Sequence, residues 1–246
     1  NHGRAVAHVA SALGIRATIC VPDWVDPIKR EGIEKAGAQV ILSGATYDES
    51  EARAVEVAER EERTFIQPFD DPWIAAGQGT LGLEMIKDVA RLSTVLIPLS
   101  GGGLAGGVAY ALKERNPDIR IVAVSAANAR VMYESVRAGK PVTLAEEETL
   151  AEALSGGIGV VNRYTLPLIR ALVDEHVLVS EDEIRRAMLY ALQSLQCVVE
   201  GGGAVALAAL LAEKWGSGLT DPETTVGVVL SGGNVSIPRL EALTRD

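Results

Sequence analysis

Ser100-Gly101-Gly102-Gly103-Leu104-Ala105-Gly106-Gly107 joins an apolar run, Val95 to Leu99, to a helical pattern carried by Val108, Ala109, Ala111 and Leu112. A glycine-rich turn between a buried strand and a helix N-terminus suits an anion. Backbone N–H groups point outward there, glycine admits close approach, and the helix dipole favours negative charge. The chemistry expected is the holding of a phosphate group. Two further glycine clusters accompany it: Ser231-Gly232-Gly233-Asn234 after the apolar run Thr225 to Leu230, and Glu200-Gly201-Gly202-Gly203 before the alanine-rich pattern Ala204 to Lys214. Open parallel sheets bind ligands beyond the carboxyl ends of their strands, so the 100–107 and 231–234 turns are expected at one crevice, with the Ser231 hydroxyl turned to it.

Gly101, Gly103 and Gly106 also satisfy the G-x-G-x-x-G spacing of dinucleotide sites. That fingerprint wants a carboxylate at the end of the next strand, which here reads Val122-Ala123-Val124-Ser125. A P-loop is excluded, because no Gly-Lys-Ser/Thr follows the glycines. A purely structural turn stays open, although each glycine costs roughly 1 kcal/mol relative to alanine in regular structure. His2, His8 and His176 show no metal-ligand spacing, and neither a Cys-x-x-Cys pair nor a Ser-His-Asp elbow occurs. Zinc and hydrolase chemistry therefore lack support, and no metal site is expected.

The elements that must position these residues alternate along the chain. Val6 to Leu13 reads as a helix stopped by Gly14, Ala17 to Val21 as a strand, and Asp26 to Gly37 as a helix with Pro27 in its first turn. Gln39 to Leu42 (strand), Asp48 to Arg63 (helix) and Thr64 to Ile66 (short strand) follow. The alternation pauses around Pro68 to Gly79, where a domain junction is placed, giving a small domain over 1–71 and a larger one over 72–246. Beyond it come a helix at Leu81 to Ala90, the central strand, turn and helix, a strand at Ile119 to Val124 and a helix at Ala129 to Ala138. Then follow a helix at Leu166 to Val173, a strand at Glu175 to Val179 and a helix from a capping box at Ser180 to about Cys197. Strands alternating with such helices predict an α/β fold of two open, mostly parallel, twisted sheets with flanking helices.

The chain has 246 residues, 48% of them hydrophobic and 23% charged, with a net charge of -10. An acidic chain without a basic run does not suit a nucleic-acid partner or an anionic membrane. No apolar run approaches the ~20 residues of a membrane span. Cys20 and Cys197 are the only cysteines and both lie in apolar segments, which fits a reducing, cytoplasmic setting.

Five stretches together resemble the fold-type II pyridoxal-phosphate (PLP) enzymes, whose fold is that of the tryptophan synthase β-subunit, and within them the threonine/serine dehydratase and serine racemase group. Asn1-His2-Gly3 is similar to the tail of that family's Ser-x-Gly-Asn-His motif, and Ala76-Gly77-Gln78-Gly79-Thr80 to its A-G-Q-G-T stretch. Leu99 to Leu104 resembles its tetraglycine phosphate loop with Ser100 for the first glycine. Leu178 to Ile184 resembles its V-S-E-D-E-I helix start, and Leu230 to Asn234 its S-G-G-N turn. Gly3-Arg4, Ser155 to Gly159 and Asn162 to Tyr164 are most similar to the dehydratases of hydroxyectoine breakdown.

The resemblance implies that Ser100, Gly101, Gly102, Gly103 and Leu104 hold the 5′-phosphate of PLP through backbone amides. It implies that Asn1 bonds the 3′-oxygen of the ring, that Ser231 donates to the pyridine nitrogen, and that Glu200 lies near the ring edge. The implied reaction takes threonine, serine or a related 3-hydroxy amino acid to a 2-oxo acid and ammonia, in a homodimer. Racemases and β-replacement synthases share the fold, and a non-catalytic anion-binding module is the alternative outside enzymes. The family's Schiff-base lysine precedes the Asn-His motif, so no catalytic residue is expected within this chain. The segment is read as a truncated one, inactive alone and lacking the start of both domains. Family positions for a divalent cation are Ser125 and Val131 here, which disfavours a metal, and a family asparagine near the cofactor is Phe69.

Overall fold

A computed structural model of the chain describes residues 1–216 and 225–244. They fall into two compact units, Asn1–Gln67 with Asn234–Asp246, and Pro68–Gly233.

In the first unit, α1 (His2–Ala12), β1 (Thr18–Val21), α2 (Pro27–Lys35), β2 (Gln39–Leu42) and α3 (Tyr47–Arg60) follow one another. β1 and β2 pair in parallel, Thr18 opposite Gln39 through Val21 opposite Leu42. Asp26 starts α2 by accepting the Ile28 N–H, with Pro27 in the first turn, and Thr46 starts α3 by accepting the Glu49 N–H. Ala7, Ile19, Ile33 and Ala38 form a small core. The segment after Asn234, including α10 (Ile237–Ala242), belongs to this unit. Arg4 Nη1 donates to Asn234 Oδ1 at 2.6 Å, and Asn234 Nδ2 donates to Asn1 Oδ1.

The second unit is built on a parallel four-stranded sheet in the order β5 (Glu175–Val179), β4 (Arg120–Ala126), β3 (Leu92–Pro98), β6 (Thr225–Val228). β3 and β4 are buried along almost their whole length, as parallel strands covered on both faces are. Val95, Ile97, Ile121 and Ala123 pack with Val108 and Leu112 of α5 (Gly103–Arg115) and Ile169 of α7 (Thr165–Leu172). Alternate residues Leu96, Val122 and Val124 point to the other face. α9 (Gly201–Leu211) lies along β3, β4 and β5 and is buried from Gly201 to Ala209, which is why its sequence is apolar all round. α8 (Glu181–Gln193), started by the Ser180/Glu183 capping box, packs on α9. α6 (Val131–Ala138) follows β4.

Several elements differ from the sequence expectation for identifiable reasons. The A-G-Q-G-T stretch is not a loop; it lies inside α4 (Pro72–Asp88). A Cβ on Gly107 of α5 would sit 2.1 Å from the Ala75 carbonyl oxygen, and one on Gly79 of α4 would sit 3.0 Å from that of Gly107. The two helices touch through backbone, and this contact outweighs the low helix propensity of glycine. Gly201 to Gly203 likewise form the first turn of α9 instead of preceding it, and α8 stops at Gln193, short of Cys197. Residues 64–66 are not in a strand; the Ile66 carbonyl accepts from His2 Nε2 at 3.0 Å. The division of the chain lies at 67/68 instead of 71/72, and 234–246 returns to the first unit instead of continuing the second. Phe69 and Asp70 pack and bond within the second unit, whereas Asn234 bonds Arg4 and Asn1.

Gly107→Ala is expected to force α4 from α5 and lower stability by about 1–3 kcal/mol, the cost of overpacking, read as a drop in the urea midpoint. The His176 ring stands edge-on to Tyr133, its Nδ1 is buried without a hydrogen-bond partner among the described residues, and burial holds its pKa below the ordinary value. The fold thus keeps this imidazole neutral while the unfolded chain protonates near pH 6.5, so its contribution is present above that pH and is lost on acidification. The urea midpoint should fall between about pH 7.5 and about pH 5.5, and His176→Phe should flatten part of that slope.

Candidate functional site

The carboxyl edge of the four-stranded sheet gathers the functional candidates of the second unit. After β3 the chain is held before it turns. The Leu99 N–H donates to Val124 O at 2.7 Å, and the buried Ser125 hydroxyl donates to Leu99 O at 2.8 Å. The position without the dinucleotide carboxylate thus anchors the root of the glycine loop. Ser100 Oγ donates to the Leu154 carbonyl at 2.9 Å. Gly102 takes φ +88°, a left-handed conformation that glycine adopts freely, and Gly103 begins α5. Its N-cap residue, Gly102, has no side chain to cap α5. A Cβ on Gly102 would meet Met132, Thr165 and Ile169 at 3.0–3.2 Å, and one on Gly101 would lie 2.3 Å from Phe69 Cγ. The loop is therefore a strip of backbone whose three glycines have no room for side chains, at a helix N-terminus whose N-cap is glycine.

The other candidates are linked to that loop by a chain of contacts. Leu154, which accepts from Ser100, closes a single 3-10 turn, Glu152–Leu154, and a Cβ on Gly202 would meet its Cγ at 3.3 Å. Glu200, only 4% exposed, stands at the N-cap of α9, and its N–H donates to Gly232 O at 2.9 Å. A Cβ on Gly203 would lie 2.5 Å from the same oxygen, so the 231–233 turn rests directly on the first turn of α9. Ser231 is exposed on that turn. Because β6 is the parallel neighbour of β3, Ser231 and Ser100 both lie beyond carboxyl ends. Ser100 to Leu104, Glu200 and Ser231 thus share one edge of the unit.

Asn1 belongs to the first unit, where it occupies the N-cap of α1 and accepts from Asn234 Nδ2. The neighbouring His2 is held below its ordinary pKa chiefly by burial, which keeps it neutral with Nε2–H on Ile66 O.

Two cations at element ends are already paired: Lys113 with Asp174 at 2.8 Å and Lys214 with Glu183 at 2.7 Å. Among the described residues no group of three or more His, Cys, Asp or Glu side chains could hold a metal ion. Val131, at one of the cation positions, is the first residue of α6.

The sequence of the family described as pyridoxal-phosphate dependent enzyme matches residues 1–232. The chain belongs to this family. It is 43% identical over 237 residues to a putative threonine dehydratase of Sinorhizobium fredii, covering 96% of this chain and 70% of that protein. It is 40% identical over 243 residues to an L-threonine ammonia-lyase of Geobacter sulfurreducens, covering 99% of this chain and 59% of that protein. The solved structure of maize serine racemase superposes with a TM-score of 0.88 at 34% identity, over 99% of this chain and 73% of that one. The α/β fold with parallel sheets is that of the fold-type II enzymes, and PLP is the family's cofactor.

The glycine loop fits a PLP phosphate: a helix start whose N-cap is glycine, a left-handed Gly102 and a strip of backbone closely packed at all three glycines. Reading the sequence did not find the part played by Ser125, by the 150–154 segment or by Phe69 and Asp70. Their partners are 26 to 95 residues away, and no local pattern announces such contacts.

Gly102→Ala is expected to raise the Kd for PLP about tenfold or more, because a non-glycine residue held at positive φ costs roughly 1–3 kcal/mol and the added methyl meets three side chains. Ser100→Gly gives up one neutral hydrogen bond, about 0.5–1.5 kcal/mol, and should weaken binding far less. Fluorescence titration with PLP reads both.

Proposed function

We propose that the protein is a PLP-dependent ammonia-lyase that converts threonine, serine or a related 3-hydroxy amino acid to a 2-oxo acid and ammonia. The observation that carries this reading is identity of 40% over 99% of the chain to an enzyme named L-threonine ammonia-lyase, together with the PLP-compatible loop. In this reading the second unit is the large, PLP-binding domain and the first unit the small domain.

The backbone N–H groups of Ser100, Gly101, Gly102, Gly103 and Leu104 hold the 5′-phosphate, with the dipole of α5 adding to their attraction. Glu200 would stand by the ring edge and the Ser231 hydroxyl would donate to the pyridine nitrogen, while the resemblance supports Asn1 as the partner of the 3′-oxygen. When bound, PLP supplies an electron sink that acidifies the α-carbon of an amino acid. A neutral hydroxyl at the nitrogen leaves that atom unprotonated and moderates the sink, which suits loss of a β-hydroxyl. Phe69 and α7, packed against the three glycines, restrain the phosphate-holding backbone, so orientation is set before substrate arrives. We further propose a cytoplasmic homodimer. Two unpaired cysteines in an acidic chain support the compartment, and the resemblance to the dehydratases supports the dimer. No described helix is long and apolar enough to cross a membrane.

The full-length protein supplied with PLP and L-threonine or L-serine should release a 2-oxo acid and ammonia in equal amounts. Light scattering on the same sample should give twice the chain mass. Similarity to maize serine racemase favours racemisation as the second reading, and accumulation of D-serine without 2-oxo acid would select it. PLP binding without any turnover would leave the non-catalytic module.

A further inference from the structure

We infer that Asp70 is a positioning residue for the phosphate-binding glycines, acting on them from two sides at once; this rests on the reading that residues 100–104 hold the PLP phosphate. The turn before α4 carries two consecutive carboxylates with different tasks. Asp71 performs the local one, accepting the N–H groups of Trp73 at 2.7 Å and Ile74 at 3.1 Å to cap α4. Asp70 instead reaches across the sequence to α7. Its Oδ2 accepts the Arg163 N–H at 2.7 Å, and its Oδ1 accepts those of Tyr164 at 2.8 Å and Thr165 at 2.9 Å. The helix it serves has no side-chain cap from its own N-cap residue, Tyr164. A carboxylate on three N–H groups at a helix N-terminus is a charge-assisted arrangement favoured by the dipole.

Both ends of this clamp touch the glycine loop. Thr165 is fully buried, and a Cβ on Gly102 would lie 3.0 Å from Thr165 Cβ and 3.2 Å from Ile169 Cγ1. On the other side, a Cβ on Gly101 would lie 2.3 Å from Phe69 Cγ, and one on Gly103 would lie 3.1 Å from Phe69 Cα. The outer two glycines thus lie against Phe69 and the middle one against the first turn of α7. Phe69 and Asp70 are consecutive residues, so the carboxylate's hold on α7 fixes the separation between the two jaws. Asn162 reinforces the α7 side: its Oδ1 accepts the Leu166 N–H at 2.7 Å, and its Nδ2 donates to Thr165 Oγ1 at 2.9 Å. Release of the clamp would let the three glycines relax, and amides aimed at one phosphate would lose their common aim.

The test compares PLP with pyridoxal, which has the same ring without the phosphate. In Asp70→Asn one oxygen becomes an NH₂ group that cannot accept, so the clamp loses its charge and at least one of its three N–H bonds with little change of volume. By equilibrium titration of the full-length protein, Asp70→Asn should weaken PLP about tenfold, as a displaced positioning group does, and pyridoxal less than about twofold. The ³¹P resonance of bound PLP should shift. Unchanged PLP affinity, or equal weakening of both ligands, would overturn the inference, because a merely structural role affects both alike. If Asp70→Asn does not fold, Phe69→Leu keeps the bonds to α7 while removing the ring from Gly101. It must show the same phosphate-selective loss, and an unchanged PLP-to-pyridoxal preference overturns the proposal. A wild-type protein without preference for PLP would overturn the phosphate reading and this inference together. A wild-type preference that survives in the variants overturns this inference alone.

Discussion

Backbone N–H groups that hold an anion must be left without side chains and without caps, yet must not move. Residues 100–104 of the second unit, which we propose hold the PLP phosphate, meet this constraint. Removing side chains gives flexibility, because glycine has the largest conformational freedom to lose on folding. That freedom is taken away from outside the loop. β4 fixes Leu99 through Val124 O and the Ser125 hydroxyl, Leu154 fixes Ser100, Phe69 covers Gly101 and Gly103, and α7 lies against Gly102. None of these partners belongs to the loop's own strand or helix. The same logic holds at the start of α9, since Gly201 lets the carbonyl group of Leu150, and Gly203 that of Gly232, come within a distance that a Cβ would forbid.

This division of labour explains what the sequence displayed. The strand, glycine turn and helix at 94–116 are local: burial on both faces gives a continuous apolar run, and a helix start without a capping side chain gives glycine. The strands Gln39–Leu42 and Glu175–Val179 and the capping box at Ser180 could be read for the same reason. α4 could not. Its glycines at 77 and 79 look like a helix interruption, and only when α5 is placed against the helix does the absent Cβ at 79 and 82 become the reason the two can touch. The return of Asn234 to the first unit rests on bonds to Arg4 and Asn1, more than 200 residues earlier. Asp70-Asp71-Pro72 lies in the stretch expected to be a domain junction, and nothing local in it shows that Asp71 caps α4 while Asp70 caps a different helix.

Electrostatics decides how an acidic chain can hold a doubly charged phosphate at all. The net charge of -10 opposes it at long range, but the Debye length at physiological ionic strength is about 8 Å, so most of that field is screened. Lys113, in the last turn of α5, and Lys214 are engaged with Asp174 and Glu183, and the carboxylate of Asp70 is turned onto the N–H groups of α7. The donors that the loop itself offers are neutral: the amides of 100–104 at the start of α5. Such donors attract through direction as much as through charge, each N–H contributing only if it points at the same oxygen cluster. A cationic side chain could follow a displaced phosphate, whereas a fixed amide cannot. In the proposed site, recognition by backbone ties affinity to rigidity, and the long-range contacts that hold the three glycines bear on binding without belonging to the loop.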